Sequence, residues 1–275
     1  MNRGTKILAF AVGIIALVLI GGYAVIHITS GLDSPLSVVM SSSMQHDNNE
    51  SRIGIIDTGD VMIIRSPDNM EIKSYVEGTI ENYKTFGDYG NVIIYERGDD
   101  VNPVIHRAIV WLDYNGNGTW SAPSLQDYQG DWYCSNSSDY RRLSGTLYFD
   151  DITRANKDVS INLDSLKKQS GYLTMGDNPE TNKYFDQDKG IIDHPVGAGD
   201  IRSVAIAEIP WLGVIKVFMT ENKKANLEHV PNSINCLIML FAFIFAIIYC
   251  CDIFYKKKDL LIVAFEWSRW KDIRY

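Results

Sequence analysis

Three sets of residues along the chain have the side chains that acyl transfer requires. Ser41, Ser42 and Ser43 stand in a row after the apolar run Leu36–Met40 and directly before Met44. His106 lies inside a second apolar run, between Ile105 and Arg107. Asp177 lies in the turn Gly176-Asp177-Asn178, after Gly171-Tyr172-Leu173-Thr174-Met175. A serine hydroxyl is a poor nucleophile near neutral pH until a base removes its proton. Imidazole titrates in the right range, and a carboxylate can fix its tautomer. Separation along the chain is no obstacle, because such constellations are defined by geometry. Each set also has a structural reading. Serine clusters mark loops, a histidine in an apolar run can be a satisfied core residue, and Asp-Asn pairs bond their own backbone in turns. His46, His194 and His229 lie in polar stretches.

The elements that would position these groups follow from hydropathy. Ile7 to Ile28 and Ile234 to Cys251 contain no Asp, Glu, Lys or Arg. Each can cross a hydrocarbon core of about 30 Å at 1.5 Å per residue. The first run exceeds a signal-peptide core of about 7–15 residues, and no Ala-x-Ala site follows it, so it reads as an uncleaved anchor. Arg3 and Lys6 precede the first run, and Lys256, Lys257 and Lys258 follow the second. The positive-inside tendency places both flanks in the cytoplasm and the region between them outside. The expected organisation is a cytoplasmic start at 1–6, an anchor at 7–28, an outer domain at 29–233, a second span at 234–254 and a cytoplasmic tail at 255–275. Phe265 to Tyr275 reads as either an interfacial amphipathic stretch or a frayed tail.

The outer region reads as mostly β. Leu36–Met40, Val61–Ile64, Val92–Tyr95, Pro103–Trp111 and Gly171–Met175 are short apolar runs divided by Gly, Asp and Pro turns. Ser74–Ile80 reads as a further strand, and Val204–Ala207 and Val214–Val217 as closing strands. The stretch 113–170 is polar, aromatic and weakly periodic, and reads as an insertion on the β core. Few residues separate the first anchor from Ser43. At no more than about 3.3–3.6 Å per residue, the serine cluster stays near the membrane surface. The chain of 275 residues carries a formal charge of −8, which gives no basic footprint for nucleic acid. Cys134 stands alone in the outer region, which excludes a disulfide within it. No Cys/His spacing suggests a zinc site.

Taken in order, these segments resemble the type I signal peptidases, in the archaeal and endoplasmic-reticulum branch. Ser41-Ser42-Ser43-Met44 is similar to that family's Ser-x-Ser-Met box, and Thr58-Gly59-Asp60-Val61-Met62 to its Gly-Asp strand. His106-Arg107-Ala108-Ile109 resembles the His-Arg box that replaces the bacterial lysine. Gly176-Asp177-Asn178 resembles the Gly-Asp-Asn box, and Ile209-Pro210-Trp211-Leu212-Gly213 the segment before the closing strands. The resemblance implies a signal-peptidase-like β domain flanked by two transmembrane α-helices. It implies Ser43 as nucleophile, His106 as general base and Ser41 as an oxyanion partner to the Ser43 backbone N–H. Asp177 and Asp186 match the two aspartates of the family, with Asp188 and Asp193 as substitutes for Asp186. No cofactor or metal is implied. The implied partners are secretory preproteins, the lipid membrane and the protein translocation machinery. Ser42 departs from the usual Gly, Gln45-His46 from the common Glu-Pro, and the Asp177–Asp186 loop is longer than typical.

Two further motifs are weaker. Asp113-Tyr114-Asn115-Gly116-Asn117-Gly118 opens like a calcium loop, but the twelfth position is Ser124 rather than Glu, which leaves a Gly/Asn turn as the simpler reading. Asn49, Asn117 and Asn136 begin glycosylation sequons. The alternative of a different class is a non-catalytic, membrane-anchored surface or envelope protein acting as a scaffold or binding module. In it the serines are a linker and His106 is core.

Overall fold

A computed structural model describes residues 3–98, 101–220 and 230–271. His229, Asp99, Asp100 and Arg274 therefore lie outside the described residues. The chain opens with helix α1 (Arg3–Ser30), then runs through strands β1 (Leu36–Val38) and β2 (Val61–Arg65) to helix α2 (Tyr75–Glu81). Strands β3 (Lys84–Thr85), β4 (Asp88–Tyr89), β5 (Val92–Tyr95) and β6 (Val104–Tyr114) follow. Next come β7 (Trp120–Ser121), β8 (Trp132–Cys134), β9 (Thr146–Ile152), β10 (Lys157–Asn162) and β11 (Gly171–Met175). Strand β12 (Ile201–Ile209), helix α3 (Val214–Met219) and helix α4 (Ser233–Lys271) complete it. The fold is mostly β, and two helices, at Val12–Ser30 and Ser233–Cys250, are long and apolar enough to cross a membrane.

The main sheet runs β1-β2-β12-β5-β6-β11, with β7 added to β6. Its strand pairs are antiparallel, and bulges interrupt β12 against both neighbours and β11 against β6. Such bulges bend and twist a sheet locally. Alternation divides its apolar residues between two faces. Val92 and Ile94 pack with Val39, Met44, Met62 and Ile64, whereas Ile93 and Tyr95 pack with Ala108, Tyr172 and Val204.

Two expected strands are helices. Ser74–Ile80 becomes α2 because Ser74 accepts from the Glu77 backbone N–H while the Glu77 carboxylate reaches back to the Ser74 N–H. This capping box satisfies donors that a helix start leaves orphaned. Asn82 closes the helix in the left-handed conformation, at φ 55°. Val214–Val217 lies in α3, where Val214 and Val217, three apart, are buried and Ile215 and Phe218 are not. The Gly213 backbone lies so close to Val38 and to the Gly59 and Asp60 carbonyls that a Cβ there would crowd all three. Apolar residues alone did not distinguish strand from helix over so short a run.

The stretch between β6 and β11 forms a second sheet, β10-β9-β8. Its apolar residues join the largest core of the molecule: Trp120, Leu143, Leu147 and Phe149 pack with Ile109, Leu112 and Met175 of the main sheet and with Val76 of α2. Phe149 is fully buried and meets Phe185 edge to face, with ring centroids 6.2 Å apart. Phe149→Ala is therefore expected to cost about 3–5 kcal/mol. It should lower a single unfolding transition shared by both sheets, as read by thermal denaturation with near-UV and far-UV probes.

Candidate active site

Consecutive residues of β6 serve two different aspartates. His106 pairs in register with Ile93 and so shares the face of Ile93 and Tyr95, while Arg107 points to the opposite face. On the first face, His106 Nδ1 lies 2.7 Å from Asp186 Oδ2, and the Tyr95 hydroxyl donates to the same oxygen at 2.7 Å. The Asp186 backbone N–H donates to the Thr174 carbonyl at 2.9 Å, which fixes the carboxylate to β11. A carboxylate accepting from Nδ1–H leaves Nε2 as the basic nitrogen of the imidazole. Burial and the adjacent Asp186 charge both raise the Tyr95 hydroxyl pKa, so it remains a donor.

On the other face Asp177 binds Arg107 through two hydrogen bonds, Nε to Oδ1 at 2.9 Å and Nη2 to Oδ2 at 2.5 Å. Arg107 is fully buried, and its Nη1 donates to the carbonyls of Thr85, Tyr89 and Gly90 at 3.0–3.1 Å. His46 Nε2 lies 3.5 Å from Asp177 Oδ2. Burial by itself would raise the Asp177 pKa; Arg107 and His46 outweigh it and hold the carboxyl well below its ordinary value. Asp186 therefore stands behind His106, and Asp177 belongs to the arginine. Asp193 is on the surface with Lys167 and His194, and Asp188 is exposed.

The serine turn is tied to the Gly176–Asn178 turn. The Ser43 carbonyl accepts from the Asn178 backbone N–H at 2.9 Å and from the Asn182 side chain at 2.8 Å, and the Ser42 carbonyl accepts from the Asn178 side chain at 2.8 Å. Gly176 packs so closely that a Cβ would overlap the Ser43 carbonyl and the Asn182 amide. Met44, 1% exposed, anchors the turn in the core. Ser41 and Ser43 hydroxyls lie 3.4 Å apart. The Ser43 backbone N–H donates to no described residue, and no hydrogen bond joins Ser43 to His106. Catalytic hydrogen bonds are often long without substrate.

Ser41, Ser43 and His106 line one groove of about 1040 Å³. One wall is β1, which among the described residues pairs with β2 alone. Pro35 and Val39 bond inward, and alternation turns the backbone groups of Leu36, Val38 and Met40 outward. The other wall is Pro103–Ile105, beyond the point where β11 stops pairing with β6 at Arg107. An extended peptide laid between these walls would meet unpaired strand edges.

Tyr95, Asn182 and the structural pairing of Arg107 escaped sequence reasoning. Arg107 was visible as the second residue of the His106-Arg107 box, but nothing in the sequence pointed to Asp177 as its partner. Asn115 and Asn117 of the calcium-like stretch bond to Thr119, and the Asp113 carboxylate accepts from Trp111. Among the described residues no three His, Cys, Asp or Glu side chains gather as a metal site requires. Neither a scan of protein-family models nor searches of curated proteins and of solved structures found a match to this chain.

Asp60 holds the base of the β1 wall. Its carboxylate accepts from the backbone N–H groups of Trp211 and Asp57, each at 2.8 Å, and its carbonyl accepts from Val39 at 3.0 Å. Burial pushes its pKa up to about 7, with the Asp57 charge adding to the shift. A raised carboxyl pKa means that the folded chain holds a proton the unfolded chain has released. The contribution of Asp60 is therefore full below its unfolded value of 3.8 and declines as pH rises to about 7. Asp177 acts in the opposite sense, stabilising above its ordinary 3.8 and losing that contribution as pH falls through its lower folded value. In urea titrations Asp60→Asn should flatten the decline between pH 4 and 7, and Asp177→Asn should flatten the acid limb below pH 4. Arg107→Met, which leaves Asp177 buried without its bidentate partner, should cost about 3–5 kcal/mol at pH 7.

Proposed function

We propose that this chain is a membrane-bound serine endopeptidase that removes signal peptides from secreted preproteins, in the manner of type I signal peptidases with a histidine base. The observation that carries the reading is the His106–Asp186 pair at 2.7 Å, opening on the same groove as Ser43. In the proposed reaction Ser43 Oγ attacks the scissile carbonyl and His106 Nε2 accepts its proton. Negative charge on the carbonyl oxygen is met by the Ser43 backbone N–H and the Ser41 hydroxyl. His106 then protonates the leaving amine, and water hydrolyses the acyl-enzyme by the same route. The substrate would add as a strand along the open edge of β1.

The reading places both helices in the plasma membrane, both chain ends in the cytoplasm and the β domain on the outer face. Ser66, close after β2, donates its backbone N–H to the Ser30 carbonyl at the end of α1, at 2.8 Å. The backbone N–H of Asn232, just before α4, donates to the Asn49 carbonyl at 3.2 Å. These links favour a groove close to the bilayer, where the apolar part of a signal peptide would emerge. The translocation machinery would deliver such substrates.

Ser43→Ala is expected to abolish preprotein cleavage in membranes, a fall of at least about 10⁴-fold, with expression intact. Asp186→Asn should lower kcat by about 10⁴-fold through the wrong imidazole tautomer. Cleavage unchanged in Ser43→Ala would sink this assignment, and a wild-type chain that cleaves no preprotein would support the scaffold alternative.

A further inference from the structure

The end of β9 and its turn to β10 hold three non-glycine residues in the left-handed region: Asp151 within the strand, and Thr153 and Asn156 in the turn, at φ 52°, 61° and 47°. L side chains rarely adopt this conformation, and a β-branched residue such as Thr153 is an outlier there. Surrounding contacts hold the turn in place. The Arg154 backbone N–H donates to Asp88 Oδ2 at 2.7 Å, and Asn156 donates to the Thr153 carbonyl at 3.0 Å. Lys157, which follows, is 8% exposed. Its ammonium meets three successive carbonyls, those of Gly176 at 3.0 Å, Asp177 at 3.4 Å and Asn178 at 3.3 Å. An ammonium has three donors, so the match is one to one. The same turn, through the Asn178 N–H, holds the Ser43 carbonyl. Lys157 itself does not line the groove.

We propose that Lys157 is a positioning residue for Ser43, by which the 113–170 stretch clamps the Gly176–Asn178 turn and fixes the loop that carries the nucleophile. The role rests on the peptidase reading above. The clamp depends on charge, because a neutral amine offers one donor fewer and a weaker attraction to carbonyl oxygens. The charged groups around the ammonium are Asp177 of the clamped turn, Asp88 of β4 and Arg107 of β6, with His46 beyond Asp177 and Arg154 in the same hairpin turn. Burial lowers the Lys157 pKa to about 8; Asp177 and Asp88 oppose that shift, and Arg107 adds to it. The ammonium is therefore lost as pH rises through about 8, a range in which a Ser-His-Asp constellation alone has no reason to lose activity.

The test measures kcat and KM for preprotein cleavage by the full-length chain in phospholipid vesicles between pH 6 and 10. In the wild type, kcat should fall above about pH 8 while KM stays constant. K157R should carry that fall upward by at least about 2 pH units, because a guanidinium stays charged. K157M should lower kcat at pH 7 by about 10²-fold, the cost of a nucleophile displaced by about 1 Å, and should show no alkaline fall of its own. An alkaline limb in K157R identical to that of the wild type, or a wild-type kcat in K157M, overturns the role. If neither variant folds, the wild type decides, and a constant kcat up to pH 9.5 overturns it. Undiminished cleavage by S43A would overturn the peptidase reading itself. An inactive S43A beside wild-type behaviour of the Lys157 variants would overturn the lysine role alone.

Discussion

The buried ion pair between Arg107 and Asp177 is the contact on which the arrangement of the site depends. A guanidinium and a carboxylate without solvent are tolerated only when every remaining donor and acceptor finds a partner. Arg107 meets that condition through backbone carbonyls between Thr85 and Gly90, so β3, β4 and the turn after them must close around it. Asp177 is thereby fixed, and with it the Gly176–Asn178 turn that holds the Ser43 carbonyl. On the opposite face of β6, His106 meets Asp186 and Tyr95. One strand thus sets both the imidazole and, through the ion pair, the serine turn.

The groove owes its shape to where strand pairing stops. Among the described residues β1 has one partner, and beyond Arg107 β6 keeps β5 on one edge while β11 leaves the other edge open. Unpaired strand edges ordinarily invite unwanted association. Here they face each other across a groove, and on the proposed reading a transient strand of substrate satisfies them. The 113–170 stretch, polar and weakly patterned in sequence, shares the largest apolar core and sends Lys157 to the carbonyls of the Gly176–Asn178 turn. Its contribution to the core is carried by residues such as Trp120, Leu143, Leu147 and Phe149, scattered among polar neighbours.

Much of the fold was legible in the sequence. The two apolar runs contain no Asp, Glu, Lys or Arg, and water offers such surface no stable place. Strands β2, β5, β6 and β12 announced themselves as β-branched runs between turn residues. Helices α2 and α3 did not, because their apolar residues are too few to show a period. The decisive feature of α2, the Ser74–Glu77 capping box, is polar. The residue types of the site were equally visible: hydroxyls after a strand, an imidazole within one, and aspartates in turns.

The sequence by itself determined which chemical groups are available and roughly where the strands and the two apolar runs lie, because hydropathy and turn chemistry are local properties; α4 nevertheless continues to Lys271, past the expected end of the second span at 254. Only the tertiary structure decided which carboxylate serves which base. Asp177 and Asp186 are both plausible partners by type, and both lie in polar loops. Alternation along β6 turns His106 toward Tyr95 and Asp186 and Arg107 toward Asp177. That assignment depends on the register with β5 and on the bulged pairing with β11. Register is set by the packing of whole faces and not by any residue within the motif, so the partner of His106 could not be read until the sheet was assembled.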